Sequence, residues 1–294
     1  MQSQLDDLAI ALYVDIDDAL DPLALRRGAG RPVQISDSEL VCLAAIQVLL
    51  GFNSERRWLR FARQRLGHLF PRLPDQSTYN RRRRAAGGML AHAIAVLAAR
   101  TPSWHDQTRL LDSTPVPCGS SRETAKRSEL RGWANYGYCA AHSRYFWGLR
   151  LYLFTTPDGI PTAWCLADPK LGEREVAQAM FEHTPPRPGM LIVADKGFAG
   201  REFAQLVTDY GATLLRPQRR DESQPATRLG WIRQRIESVN WSLKGQLGLE
   251  EHGGRTPAGV FARVAQRLLA LTAAIWHNWL IHAPCKRSLL AYEG

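Results

Sequence analysis

The sequence predicts an α/β protein in which a mixed sheet flanked by helices follows an all-helical N-terminal domain. Apolar residues recur at helical spacing over the first hundred residues, and short apolar runs alternate with helical patterns from about residue 108 onward. In addition, 45% of the 294 residues are hydrophobic, which is enough to build a sizeable core and argues against a disordered chain. We therefore expect two domains, residues 1–104 and 105–294.

The helical domain is predicted to contain three helices. Ser36 and Glu39 form a capping box directly before an apolar run, which marks the start of the first helix. A second helix is predicted from Asn53 or Ser54 to Pro71, and a third follows residues 74–77. Two shorter helices followed by an arginine-rich one are typical of a helix-turn-helix DNA reader.

Positive charge is concentrated in this predicted reader. The whole chain has a net charge of +10, which indicates a polyanionic partner such as nucleic acid. Residues 55–84 carry ten arginines against two acidic residues. Within the third predicted helix, we expect Arg81, Arg82, Arg83 and Arg84 to contact DNA phosphates. The alternative is a helical cap whose arginines only face solvent.

The second domain is predicted to alternate strands with helices, beginning with a strand over residues 109–118. Pro157, Asp158 and Gly159 form a turn signal, which predicts a hairpin. Its strands are 146–156 and 160–168. The remaining predicted elements are helix 171–184, strand 190–195, helix 200–211, strand 212–217, helix 229–249 and a long helix 257–283 packed on the core, with polar loops at 119–135 and 218–228.

Several classes of protein are excluded by motifs that the sequence lacks. The five cysteines include no C-x-x-C pair, which argues against a disulfide framework or a zinc ribbon. There is no H-E-x-x-H pair, no G-x-S-x-G elbow and no P-loop. The N-terminus does not resemble a secretory signal, and the apolar runs 40–52 and 268–281 are shorter than a membrane span. We therefore expect a cytoplasmic protein without a membrane partner.

Three acidic residues occur where predicted elements offer a site. Asp112 follows the apolar start of the first strand, Asp195 ends M-L-I-V-A-D, and Glu237 lies on the predicted helix 229–249. Because open α/β sheets bind ligands at the carboxyl ends of their strands, we expect these carboxylates to converge. Three such oxygen ligands favour Mg²⁺. With 28 acidic residues in the chain, chance spacing and ordinary turn or capping roles remain the alternative.

At these positions the sequence resembles the DDE transposases of bacterial insertion sequences, most closely the 982-type group. The stretches L-L-D-S-T-P-V-P, V-A-D-K-G-F and R-Q-R-I-E-S-V-N-W-S-L-K occur in the same order. Transposases of the related fourth insertion-sequence type share a Y-(2)-R-(3)-E-(6)-K pattern. Arg233, Glu237 and Lys244 match it, whereas Gly230 stands at the tyrosine position. The resemblance covers roughly residues 35–290.

The resemblance implies an RNase H-like catalytic core in residues 105–294. Asp112, Asp195 and Glu237 would be its catalytic acids and would bind Mg²⁺, expected as two ions that Mn²⁺ could replace. The spacing of positions 233, 237 and 244 predicts that all three side chains lie on one helix face. We expect Arg233 and Lys244, together with Lys196, to contact DNA phosphates.

The expected function is that of a transposase in the bacterial cytoplasm, associated with the nucleoid. Its partners would be double-stranded DNA, both terminal inverted repeats and target DNA, and a second copy of the chain in a synaptic homodimer. The reaction would be Mg²⁺-dependent strand cleavage followed by strand transfer. A non-catalytic DNA-binding protein derived from a transposase and a stand-alone metal-dependent nuclease are the alternatives.

Overall fold

In a computed structural model the chain divides into two compact units, which we call the helical unit and the sheet unit. The described residues are 2–20, 34–139, 143–217 and 230–292. The helical unit consists of Met1–Thr101, Ser242–Gly254 and Ala258–Gly294, and the sheet unit of Pro102–Trp241 and Arg255–Pro257.

The helical unit is built on helices whose starts are fixed by local capping. Ser36 Oγ accepts from the Glu39 backbone N–H at 3.0 Å, and Glu39 Oε2 accepts from the Ser36 N–H at 2.5 Å, so the predicted capping box is confirmed. Ser54 caps the next helix in the predicted place. The helices of this unit are α1 (Gln2–Leu20), α2 (Asp37–Leu49), α3 (Glu55–Arg65), α4 (Gln76–Ala85), α5 (Gly87–Ala99) and α10 (Pro257–Leu280).

The third predicted helix is wrong as a single element, because α4 ends at Ala85 and α5 begins at Gly87. A Cβ atom on Gly87 would lie only 2.8 Å from the Phe261 ring. Glycine therefore allows the start of α5 to approach α10 closely, while its low helix propensity favours the break.

The long C-terminal helix α10 belongs to the helical unit, which corrects its predicted place on the core of the second domain. Gln266 Nε2 donates to the carbonyl of Ala44 in α2 at 2.8 Å, and Arg263 is hydrogen-bonded to Glu55 in α3. These contacts join residues more than two hundred positions apart in the chain, which no local sequence pattern records.

By length and composition alone, α10 is long and apolar enough to cross a membrane. The prediction considered only the uninterrupted apolar run 268–281, whereas the helix that contains most of it is 24 residues long. However, 78% of the most apolar 18-residue stretch of α10 is buried inside the protein. The buried residues of this helix include the polar Gln266, Thr272 and Asn278. The apolar character of this helix is accounted for by core packing.

The elements of the sheet unit are the strands β1 (Thr108–Gly119), β2 (Asn135–Cys139), β3 (Arg144–Thr155), β4 (Pro161–Ala167), β5 (Leu191–Ala194) and β6 (Thr213–Leu215), and the helices α6 (Arg122–Arg127), α7 (Glu173–His183), α8 (Arg201–Asp209) and α9 (Gly230–Trp241). The strands form a mixed sheet of order β2-β3-β1-β5-β6, and β4 pairs with β3. Strand β3 is antiparallel to both β1 and β4, whereas β5 runs parallel to both β1 and β6.

The predicted hairpin is confirmed, since Thr155 of β3 pairs with Pro161 of β4 across the predicted turn. Gly159 has a φ of +98° there, a conformation that glycine adopts without strain. The predicted loop 119–135 is wrong in part, because α6 occupies its middle. The other predicted loop, 218–228, lies outside the described residues.

Alternating side chains in β1 and β5 divide the core of this unit between two faces of the sheet. Leu111 and Ile192 belong to a large cluster formed with α7 and α8. Leu110 and Val193 point to the opposite face, where Ile236 of α9 packs against them. This arrangement places α9 beside the end of β5 and the neighbouring part of β1, where two of the predicted site residues occur.

Candidate active site

Asp112 lies in β1, the central strand between β3 and β5. By the alternation of the strand it shares the face of Leu110, toward α9. It is partly buried, and Asn240 of α9 donates a side-chain N–H to its Oδ2. Asn240 therefore positions this carboxylate from the helix that covers it.

Asp195 directly follows β5 and lies next to Asp112. The parallel register pairs Leu111 with Ala194, so the two aspartates are the next residues along the two strands. Asp195 is exposed and caps a short 3₁₀ turn, where its Oδ1 accepts from the Gly197 backbone N–H at 2.6 Å. The structure thus brings together the two predicted aspartates at the carboxyl end of β5.

The electrostatic environment of Asp112 is unusual for a carboxylate. Burial, reinforced by the negative charges of Asp195 and Glu173, raises its pKa to about 7, although hydrogen bonds from the Ser113 backbone and from Asn240 oppose the shift. Two neighbouring carboxylates in a partly buried position repel each other. Strongly shifted carboxyl groups of this kind are concentrated at functional sites.

Glu237 is not gathered into the same cluster. It lies on α9 one turn before Asn240, with an exposed side chain. Across the described part of the chain, no three His, Cys, Asp or Glu side chains form a group that could hold a metal ion. The predicted convergence of three carboxylates is therefore observed for Asp112 and Asp195 only.

Glu173, the first residue of α7, is an acidic neighbour that the sequence reasoning missed. Its Oε1 accepts from Ser113 Oγ and from Arg150 Nη1, each at 2.8 Å. Arg150 also donates to Ser113 Oγ at 3.1 Å. Ser113 is the next residue along β1 after Asp112, so the ion pair between Glu173 and Arg150 lies on the opposite face of the sheet, toward α7.

Gly197 is the residue that lets Glu173 approach the short 3₁₀ turn after β5. A Cβ atom at this position would overlap with Glu173 Oε2. The glycine in V-A-D-K-G-F was the available signal that another group approaches here, but nothing in the local sequence identifies that group as Glu173.

The predicted phosphate-binding residues of this site have different outcomes. Lys196 is exposed directly after Asp195. Arg233 lies in α9, but its side chain is outside the described residues. Lys244 follows the end of α9, in a π-helical segment at Ser242–Gln246 that belongs to the helical unit. Its Nζ lies 3.7 Å from Glu250 Oε1. The prediction that positions 233, 237 and 244 share one α-helical face is therefore wrong, because the π turn changes the residue spacing.

The run of arginines in α4 is only partly available to a ligand. Arg82 donates to the Ile35 carbonyl and to Asp37, both at 2.6 Å. Arg83 is buried, 3.2 Å from Glu55. Arg81 and Arg84 are exposed. The prediction that all four face DNA is thus corrected, because Arg82 and Arg83 are used in contacts within the protein.

Comparison with known proteins identifies the family. No curated protein and no solved structure matches this chain. The family model described as the Transposase DDE domain matches residues 103–273, which is more than half of the chain and includes both neighbouring aspartates. The chain therefore belongs to the DDE transposase family.

Proposed function

We propose that this protein is an insertion-sequence transposase that binds terminal inverted repeats and catalyses Mg²⁺-dependent strand cleavage and strand transfer. The observation that carries the proposal is that Asp112, within β1, and Asp195, directly after β5, lie side by side where the two parallel strands pair. The family match supports a transposase or nuclease type of enzyme. Within it, we assign the chain to the 982-type group on the sequence resemblance.

The two neighbouring aspartates, Asp112 and Asp195, fit a hard divalent cation. Asp112 is partly buried beside a second carboxylate, and the hydrogen bond from Asn240 does not neutralise its charge. A divalent cation between these oxygens would compensate both charges. Asp112 and Asp195 would hold Mg²⁺ or Mn²⁺, with Glu237 supplied from α9. Two bound ions would activate the attacking oxygen and stabilise the leaving oxygen.

The protein's own residues then have separate roles. Asn240 orients Asp112, and the Gly197 N–H fixes Asp195. Lys196, exposed beside Asp195, holds a phosphate of the bound strand. In the first step a water oxygen bonds to phosphorus while the bond from phosphorus to the 3′ oxygen breaks, leaving a 3′-hydroxyl and a 5′-phosphate. In the second step the oxygen of that 3′-hydroxyl bonds to a phosphorus of the target while the bond from this phosphorus to the target's 3′ oxygen breaks. The proton lost by the attacking hydroxyl is balanced by the one that the displaced oxygen takes up, so the target strand ends in a new 3′-hydroxyl.

The topology supports an RNase H-like core. An antiparallel meander of β1, β3 and β4 is followed by two strands that extend the sheet from β1 in parallel. We further propose that the helical unit binds the DNA ends, that two copies act in a synaptic complex, and that the protein works at the bacterial nucleoid. Arg81 and Arg84 remain candidates for DNA contact, as does Arg233.

An isosteric substitution tests the proposal. The substrate is a duplex with the sequence that flanks the gene for this protein, where the terminal inverted repeats would lie. In the presence of Mg²⁺, Asp112→Asn should abolish cleavage of this duplex but retain binding to it. Asp209→Asn is the matched control, since Asp209 is exposed at the end of α8, and it should cut normally.

Each contrary outcome has a definite meaning. Retained cleavage by Asp112→Asn would overturn the assigned site. If the wild-type protein cuts DNA but never joins a pre-cleaved 3′-hydroxyl end to a target, the protein is a stand-alone nuclease. If it binds the duplex without cutting it, the protein is a non-catalytic DNA-binding protein.

A further inference from the structure

Helix α3 carries arginine on the side that faces away from its core. Trp58, Leu59 and Ala62 are buried. At about 100° per residue, four exposed arginines fall within an arc of about 120° on the other side and span about 10 Å of the helix axis. We call this surface the α3 arginine face; it consists of Arg56, Arg57, Arg60 and Arg63.

The charges of this face are not used inside the protein. Across the described residues, the side chains of Arg56, Arg57 and Arg60 make no hydrogen bond or ion pair. Arg63 donates one N–H to the Pro74 carbonyl at 2.7 Å, a contact that leaves its charge uncompensated. The acidic residue of α3, Glu55, is turned toward the interior, where it pairs with Arg263. The face therefore presents four positive charges to solvent without an acidic neighbour on the same helix.

Helix α4 has the more conspicuous sequence but the smaller available charge. Of its four consecutive arginines, Arg82 is bound to Asp37 and Arg83 to Glu55. Arg81 and Arg84 are exposed. The four arginines of α4 are consecutive in the sequence, but α3 has more exposed arginines than α4.

We propose that the phosphate backbone of double-stranded DNA docks on the α3 arginine face and that α3 binds more phosphates than α4. The guanidinium group matches phosphate with paired N–H donors, and its charge is permanent. Contacts of this kind position a duplex without reading its bases. The inference rests on the proposed function, because it takes DNA as the partner of the helical unit.

Two double variants that remove the same charge test the proposal. Arg56→Ala/Arg60→Ala alters α3, and Arg81→Ala/Arg84→Ala alters α4. Binding to a short random-sequence duplex is measured by fluorescence anisotropy over a range of salt concentrations, in EDTA to prevent cleavage. The slope of log affinity against log salt becomes shallower by about 0.9 for each phosphate that the protein no longer neutralises. We expect the slope of the α3 variant to become shallower by about 1.8 and its affinity to fall at least tenfold, and the slope of the α4 variant to become shallower by no more than about 0.9.

A charge-preserving variant and an unfolding measurement complete the design. Arg56→Lys/Arg60→Lys should keep the wild-type slope, and all three variants should keep the wild-type Tm, because the altered side chains are exposed. Wild-type binding by the α3 variant, or an affinity of the α4 variant as low as that of the α3 variant, would overturn the proposal. Failure of the catalytic function is distinguished separately, since a wild-type protein that binds DNA in EDTA but never cuts it in Mg²⁺ leaves the docking surface intact.

Discussion

The two units differ in whether a carboxylate removed from solvent is paired with positive charge. In the helical unit, Glu55 is bonded to Arg263 and lies 3.2 Å from Arg83, so a carboxylate buried between helices is compensated twice. In the sheet unit, Asp112 lies beside Asp195 and receives hydrogen bonds from two neutral groups, the Ser113 backbone and the Asn240 amide. The first arrangement connects α3, α4 and α10, whereas the second gives up stability at the position where the chemistry is proposed.

The largest expected effect on stability comes from breaking the compensated charge. Glu55→Gln would leave Arg83 and Arg263 without their shared carboxylate and should lower the free energy of unfolding by about 3 kcal/mol. Denaturant titration measures this change. Glu123→Gln is the matched control, because it breaks an exposed ion pair with Lys126 and should cost less than about 0.5 kcal/mol. Equal decreases in the two variants would contradict the comparison.

A second prediction concerns the close approach of Glu173 to Gly197 in the sheet unit. Gly197→Ala would force Glu173 or the turn after Asp195 to move. It should lower the free energy of unfolding by about 2 kcal/mol and slow DNA cleavage by about 100-fold. Gly88→Ala is the same substitution in α5 where a Cβ meets no neighbour, and it should leave cleavage unchanged. Wild-type cleavage by Gly197→Ala would show that the position of Glu173 is not needed.

The uncompensated charge should respond with the opposite sign. Without divalent cations, Asp112→Asn removes the repulsion with Asp195 and should raise the free energy of unfolding by about 1 kcal/mol. Addition of Mg²⁺ should raise the Tm of the wild-type protein but not that of the variant. Both are measured by thermal unfolding with EDTA or Mg²⁺. A destabilised variant in EDTA would refute the view that these carboxylates are kept at a cost.

The smallest effect is expected from acid. Burial alone would raise the pKa of Glu55, but the positive charges of Arg263 and Arg83 outweigh it and hold the pKa below its ordinary value of 4.5. The stabilising contribution of Glu55 is therefore complete above that value and is lost as the pH falls through the lowered pKa. The difference in stability between the wild-type protein and Glu55→Gln should shrink over that range. A difference that is constant down to strong acid would contradict this.

Much of the fold could be predicted because its signals are local. The capping box at Ser36, the hairpin turn ending at Gly159 and the strands that lead to Asp112 and Asp195 each depend on a few consecutive residues. The π turn after Trp241 was not predictable, since a helical pattern continues through it in the sequence. The short helix α6 was missed because polar residues of this composition are equally typical of a loop.

The candidate site was predictable only in its aspartates. A carboxylate that follows an apolar run is visible in the sequence, and the parallel pairing of β1 with β5 brings Asp112 and Asp195 together. Glu173 and Asn240 reach β1 from distant helices on the two faces of the sheet, 60 residues beyond Ser113 and 128 residues beyond Asp112 respectively. Their side chains follow no motif of their own, so the sequence reasoning passed over both.

The sequence by itself determined the fold class, most of the helices and strands, and the two neighbouring aspartates of the candidate site. These features follow from backbone propensity and from the spacing of apolar residues, which act over a few positions. Only the tertiary structure decided that α10 packs with the N-terminal helices and that Arg83 is buried while Arg56 and Arg60 are exposed. Those outcomes depend on which distant surfaces meet, and a side chain's partner across the core leaves no mark in its own neighbourhood of the chain.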